Sequence, residues 1–160
     1  NVLSNPVFCR DTAGVHAARQ WFELHKGSMK AVKRFSLCHG DVNPDNILVA
    51  ADGSIVLIDN EAIKYLPFPI EYFRLQFSLC GEDAAARQLF EDNYFQHAHP
   101  DRRRELEGCG DFYGAYVMLE FAWYYNKKLK QLTAANDTAA QHYASCRGKA
   151  LNGLLRIIDA

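Results

Sequence analysis

No apolar run in this chain reaches the roughly 18 residues needed to cross a bilayer, so no membrane span is expected. Cysteine is sparse and unpatterned: Cys9, Cys38, Cys80, Cys109 and Cys146 are odd in number, widely spaced and form no CxxC pair. That excludes a disulfide framework and a zinc knuckle, and it reads as reduced thiols in a cytoplasmic protein. A concentrated basic stripe is missing too. The formal net charge is −1, and the one arginine cluster, Arg102 to Arg104, is followed by Glu105 and Glu107. A solvated helical face fits that run, and no nucleic-acid partner is expected. The N-terminal NVLSNPVFCRD lacks a basic region followed by an apolar stretch, so it does not resemble an export signal. A start at Asn1 instead of Met points to a missing upstream part or to processing. Repeats, linkers and low-complexity segments are absent.

What is present suits one globular domain spanning residues 1–160, in which 49% of residues are hydrophobic and 23% charged. The expected fold class is mostly α with one small β-hairpin. Asp11 or Thr12 can cap a helix carrying Val15, Ala18, Phe22 and His25 on one face, with Gly27 to end it. Ile47 to Val49 and Ile55 to Ile58 are continuous apolar runs, the pattern of a buried hairpin turning at Asp52 and Gly53. Helices are expected over residues 70–79 and 82–95, beyond the breakers Pro67 and Pro69, with His99 and Pro100 closing the second. Residues 111–132 carry aromatics nearly all round and predict a central core helix. Asp137 or Thr138 opens a last helix with Tyr143, Cys146, Ala150 and Leu154 inward.

The chemistry concentrates in CHGDVNPDNILVAADGSIVLIDNEA, residues 38–62. Pro44 keeps Asn43 out of helical geometry, so a loop runs straight into the first strand. Asn46 stands at the entrance to that strand and Asp59 at the exit of its partner, and a hairpin brings such ends together. Two oxygen ligands there suit a hard cation such as Mg²⁺. Asp41, upstream in the same loop, is free to accept a proton from a hydroxyl nucleophile. These are the parts of a phosphoryl-transfer site. Asn43 and Asp45 read as ordinary turn formers.

HGDVNPDN followed by LIDNE resembles the catalytic and metal-binding segments of the aminoglycoside phosphotransferase and choline kinase-like family, whose fold is that of the protein kinases. Its pattern, HGDxxxxN then an Asp beyond a hairpin, is met by His39, Gly40, Asp41, Asn46 and Asp59. The resemblance implies Asp41 as catalytic base or hydroxyl-orienting group, Asn46 and Asp59 as Mg²⁺ ligands near ATP, His39 as the residue fixing the loop, and Glu61 in support. Gly40 stands where protein kinases carry Arg, which favours a small-molecule kinase. Kinases of this kind hold the nucleotide with an N-terminal lobe. Residues 1–37 contain no Gly-rich loop and no β-branched strand ending in Lys. The resemblance is therefore to the C-terminal lobe alone, and the clamping lobe is expected in the same or another chain. This chain by itself is expected to bind nucleotide weakly and not to turn over.

Two rival readings come from other classes. A truncated or decayed kinase lobe would bind a ligand or partner without turnover. A zinc-dependent hydrolase would use His97, His99 and Asp101, which spell HxHxD, although zinc needs three or four convergent ligands. For the acceptor, Phe121 and Trp123 to Tyr125 can either form core or cage a quaternary ammonium. Asp111 and Glu120 can serve an amine instead. Substrate identity stays open at this level.

Overall fold

The structure, a computed structural model, describes residues 12–132 and 137–159. Asp11 and Cys9 lie outside the described residues. Most described residues are helical, with two small antiparallel strand pairs. The chain forms two compact units, one of residues 29–110 and the other of residues 1–28 with 111–160.

In the 29–110 unit, β1 (Phe35–Cys38) pairs antiparallel with β4 (Lys64–Pro67), in register from Phe35 opposite Pro67 to Cys38 opposite Lys64. This pair was not expected from sequence, which showed one hairpin only. The expected hairpin is present as β2 (Ile47–Val49) and β3 (Ile55–Leu57), with Val49 opposite Ile55. Its turn follows the expected chemistry: Gly53 sits at φ 82°, and Asp52 Oδ1 accepts the Ser54 N–H at 2.9 Å. That carboxyl is held below its ordinary value by the same backbone bond.

The hairpin is not buried, contrary to the sequence reading. Val49 is 70% exposed, Ile55 68% and Leu48 50%, and among the described residues β2 and β3 pair only with each other. A continuous apolar run does not say whether anything covers it.

Helix α2 (Phe68–Leu75) carries Pro69 in its first turn, where a missing N–H costs nothing, and buries Phe68, Ile70 and Tyr72. Tyr72 meets Phe90, Tyr94 and Phe95 of α3 (Ala84–His97) at ring-centroid distances of 5.3, 5.0 and 5.8 Å. Burial pushes the Tyr72 phenol up to about 12. Helix α4 (Asp101–Gln131) begins ten residues before the expected core helix, so the arginine cluster forms its first turns. It runs through Gly108, where a Cβ would stand 2.9 Å from the Ala31 Cβ and a larger residue would not pack. The solvated-face reading fails for Arg102 and Glu105, whose side chains are 13% and 8% exposed. Arg102 lies over the Phe68 ring at 4.4 Å and donates to Ser36 Oγ at 2.8 Å, tying the start of α4 to α2 and β1.

In the other unit, α1 (Thr12–His25), the rest of α4 and α5 (Asp137–Ile158) supply the packing. Ala115, Leu119 and Leu154 form a buried cluster joined by Trp21, Phe22 and Met118, which bears out the inward face assigned to the last helix. Among the described residues no helix is long and apolar enough to cross a membrane.

Candidate functional site

The segment His39 to Glu61 lies entirely within the 29–110 unit, and its geometry is built by short-range rules. Asn43 is extended, at φ −144° and ψ 166°, as a residue before proline must be. It caps the single helical turn Pro44–Asn46 by accepting the Asp45 N–H on Oδ1 at 2.9 Å. That turn places Asn46, 9% exposed, at the foot of β2.

Asn46 and Asp41 are brought together. Asn46 Nδ2 donates to the Asp41 backbone oxygen at 2.8 Å and lies 3.3 Å from Asp41 Oδ2. Asn43 Nδ2 lies 3.3 Å from Asp41 Oδ1. Each carboxylate oxygen of the exposed Asp41 therefore has one long amide contact. Bonds of that length orient the group and leave lone pairs facing solvent. Assigning Asn43 to turn geometry alone missed half its role, since its carbonyl oxygen makes the cap and its amide faces Asp41.

Across the hairpin mouth, the Ile58 N–H donates to the Asn46 carbonyl at 3.1 Å. Asn46 thus stands opposite Ile58, and Asp59 follows one residue beyond. Asp59 adopts the left-handed conformation at φ 62° and ψ 62°, the one non-glycine residue at positive φ among those described. Its carboxylate makes no capping bond to the helical turn Asn60–Ala62 that it opens. Glu61 lies exposed on that turn. A backbone outlier beside a cluster of polar residues is the kind of local strain that marks functional sites.

His39 joins the two halves. It is 8% exposed, and its Nε2 donates to the Ile58 carbonyl at 2.9 Å, immediately before Asp59. A carbonyl only accepts, so Nε2 carries the proton, and Nδ1 is buried without a partner among the described residues. Gly40 sits at φ 84°, where a Cβ would overlap the Ala62 carbonyl oxygen; only glycine fits without a shift. From α2, Glu71 accepts the N–H groups of His39 and Gly40, and Arg74 donates to the Gly40 carbonyl. Neither was singled out from sequence, because no spacing rule links a helix residue to a loop some thirty positions earlier. Neighbouring Cys38 has its thiol pushed up to about 11 by burial and then by the Glu71 charge, which keeps it protonated.

Asn46 stands at the foot of β2 and Asp59 just beyond the end of β3, and both side chains carry oxygen, the donor type that Mg²⁺ takes. The zinc set does not assemble. His97 ends α3 exposed, while His99 Nε2 faces Arg34 Nη1 at 2.8 Å and its Nδ1 lies 3.4 Å from Asp101. Among the described residues no group of three or more His, Cys, Asp or Glu can hold a metal ion.

A profile of the phosphotransferase enzyme family matches residues 9–106, more than half of the chain. The chain belongs to the phosphotransferase enzyme family. The match bears out the resemblance carried by HGDVNPDN and LIDNE, and it spans all five motif residues of this phosphotransferase chain. No curated protein and no solved structure matches it.

The aromatic run near the end of α4 is closely engaged. Lys127 Nζ stands 5.6 Å from the Trp123 ring centroid, Lys128 Nζ 5.4 Å from that of Tyr124, and Tyr125 stacks on Phe121 at 6.0 Å. Rings that already carry a cation are poorly placed to cage another.

Proposed function

We propose that this chain is the catalytic C-terminal lobe of an ATP-dependent, Mg²⁺-requiring phosphotransferase that transfers the γ-phosphate to a hydroxyl of a small molecule. The observation that carries the reading is the Asp41 carboxylate, exposed and oriented by one amide on each oxygen, in the loop that leads into the hairpin beyond which Asp59 stands.

In this reading Asp41 accepts the hydroxyl hydrogen bond and takes the proton as the acceptor oxygen attacks phosphorus in line; the bond to the ADP oxygen breaks as the new one forms. Asn46 and Asp59 would hold Mg²⁺, which supplies positive charge against the β- and γ-phosphate oxygens. Asn46 has its side-chain nitrogen on Asp41, so the side-chain oxygen Oδ1 is the atom that would face the cation. His39 fixes the carbonyl before Asp59 and so holds the second ligand relative to the first. Glu61 stands by on the turn after Asp59.

The reading calls for an N-terminal lobe, in the same or another chain, to clamp the nucleotide. The bare apolar side chains of the hairpin agree with that requirement, since apolar patches of this kind are ordinarily covered. The test is phosphoryl transfer from ATP with Mg²⁺ to a panel of hydroxyl acceptors, in a protein that carries the clamping lobe. Asp41→Asn should lower kcat by about 10²- to 10⁴-fold and leave the unfolding midpoint where it was. A variant that keeps the wild-type rate defeats the proposal, and the absence of turnover in any lobe-bearing protein moves the reading to a non-catalytic binding domain.

A further inference from the structure

We propose that Cys146 and His142 of α5 form a reactive thiol–imidazole pair, a site of reversible modification by exchange with a small disulfide that carries carboxylates. Neither residue belongs to the phosphotransferase motif of residues 39–61. The two lie four positions apart, which puts them on one face of the helix. Cys146 Sγ stands 3.6 Å from His142 Nε2, within reach of a bond from the thiol to the ring. In that bond the ring accepts, so neutral His142 carries its own proton on Nδ1. His142 is exposed and Cys146 half-buried, so a small reagent can reach both.

The surroundings favour a thiolate. No Asp or Glu occurs from Thr138 to Ile158, whereas Arg147 follows Cys146 directly and Lys149 stands one turn on. From α4, the Tyr125 ring lies 6.2 Å from that of Tyr143, and Asn126 Oδ1 accepts from Arg147 at 3.2 Å. That part of α4, residues 121–131, carries Lys127, Lys128 and Lys130 and no acid. Tyr125 also hydrogen-bonds Cys146. Burial first and Cys146 next push its phenol up to about 12, so it keeps a proton to donate to sulfur. Reactive cysteines sit in such places, partly exposed, among cations and beside a base. Three other described thiols differ: burial raises Cys80 and pushes Cys38 and Cys109 up to about 11, which holds them protonated at neutral pH.

In the exchange, His142 Nε2 takes the Cys146 proton and the sulfur's electron pair attacks one sulfur of a disulfide RS–SR. The S–S bond breaks, and its electron pair leaves with the second sulfur, which takes the proton back from His142. Cys146 is oxidised to a mixed disulfide, half of the reagent is reduced to RSH, and a reducing thiol reverses the step. The cations around Cys146 favour a reagent bearing carboxylates over one bearing amines.

The probe is glutathione disulfide, with each cysteine followed by peptide mass mapping. Near neutral pH, Cys146 should gain the adduct at least about 10-fold faster than Cys38, Cys80 and Cys109, and lose it when reductant is added. His142→Gln should slow Cys146 by about 10-fold near neutral pH, and the gap should close above about pH 9, where a thiol ionises without help. A side chain that only packed would leave no such pH signature. Cystamine, a disulfide with amines in place of carboxylates, should react more slowly than glutathione disulfide at low salt, and added salt should narrow the difference. Equal rates at Cys80 and Cys146 overturn the proposal. So does a His142→Gln effect that is absent or the same at every pH, or faster reaction with cystamine at low salt. Should His142→Gln fail to fold by far-UV circular dichroism, the ranking of the thiols and the salt dependence in the unsubstituted chain still decide it.

Discussion

Replacing Gly40 by alanine tests the loop at its tightest point. Two costs add. A side chain at φ 84° costs roughly 1–2 kcal/mol for the left-handed backbone. The new Cβ would also overlap the Ala62 carbonyl oxygen, with the Ala62 carbon at 3.1 Å and its Cβ at 3.2 Å. Relieving overlap against backbone costs about 1–3 kcal/mol, so the expected total is about 3 kcal/mol. Gly53→Ala is the internal control. It stands at φ 82° with nothing within 4 Å of the new Cβ, so only the first cost applies, about 1 kcal/mol. With a urea slope of about 2 kcal/mol per molar, the midpoints should fall by roughly 1.5 M and 0.5 M. Trp21 and Trp123 both lie outside residues 29–110, so the probes are far-UV circular dichroism and exchange of the Ile58 amide. Equal midpoints for the two variants, within about 0.5 kcal/mol, would refute the overlap and with it the reason for glycine in HGD.

Asp83 Oδ1 accepts the N–H groups of Ala85 and Ala86 at 2.9 and 3.0 Å, so Asp83→Ala should cost about 1 kcal/mol in a thermal melt. Arg102→Met strands the buried Glu105 and removes the bond to Ser36 Oγ, at a cost of about 3 kcal/mol. Adding Glu105→Gln should recover part of it, and strict additivity in the double-mutant cycle would argue against the pair. Burial raises the thiols of Cys38 and Cys109 from 9.0 to about 11, helped by the Glu71 and Glu105 charges respectively. The folded state thus binds these protons more tightly than the unfolded chain. The stability is fully present below pH 9 and drains away as pH rises through about 11. Alanine at both positions should flatten the urea midpoint across that window, and an unchanged slope would count against the burial cause.

What was legible in the sequence was local. Pro44 dictates the extended Asn43, Asp52 and Gly53 dictate the hairpin turn, and the inward stripe of α5 is written at helical spacing in Ala150 and Leu154. The rest depended on contacts between distant positions. FSLC and KYLP each look too short to be a strand alone, and they pair across the whole segment of residues 39–63. Arg102 looks like surface charge until Phe68 and Ser36 are placed beside it. The burial expected of IVLI failed for the same reason, since hydrophobicity states what a segment would gain from cover and leaves open whether cover exists.

The exposed hairpin also bears on how its polar residues are understood. A two-stranded ladder of three-residue strands is not stable alone in water, and this one keeps its apolar side chains outside. Part of what attaches it is polar: His39 Nε2 on the Ile58 carbonyl, and Asn46 Nδ2 on the Asp41 carbonyl. Two of the residues assigned to the site therefore also fasten the element that carries Asp59, so structural and chemical roles coincide in them. Asn46→Ala would remove an oxygen donor and loosen the hairpin together, and loss of transfer in that variant would follow from either cause. Asp41 differs, because its contribution to the hairpin is a backbone carbonyl that Asp41→Asn keeps. In the proposed reading, Asp41→Asn therefore changes the chemistry while the 2.8 Å bond from Asn46 Nδ2 to the residue 41 carbonyl stays in place.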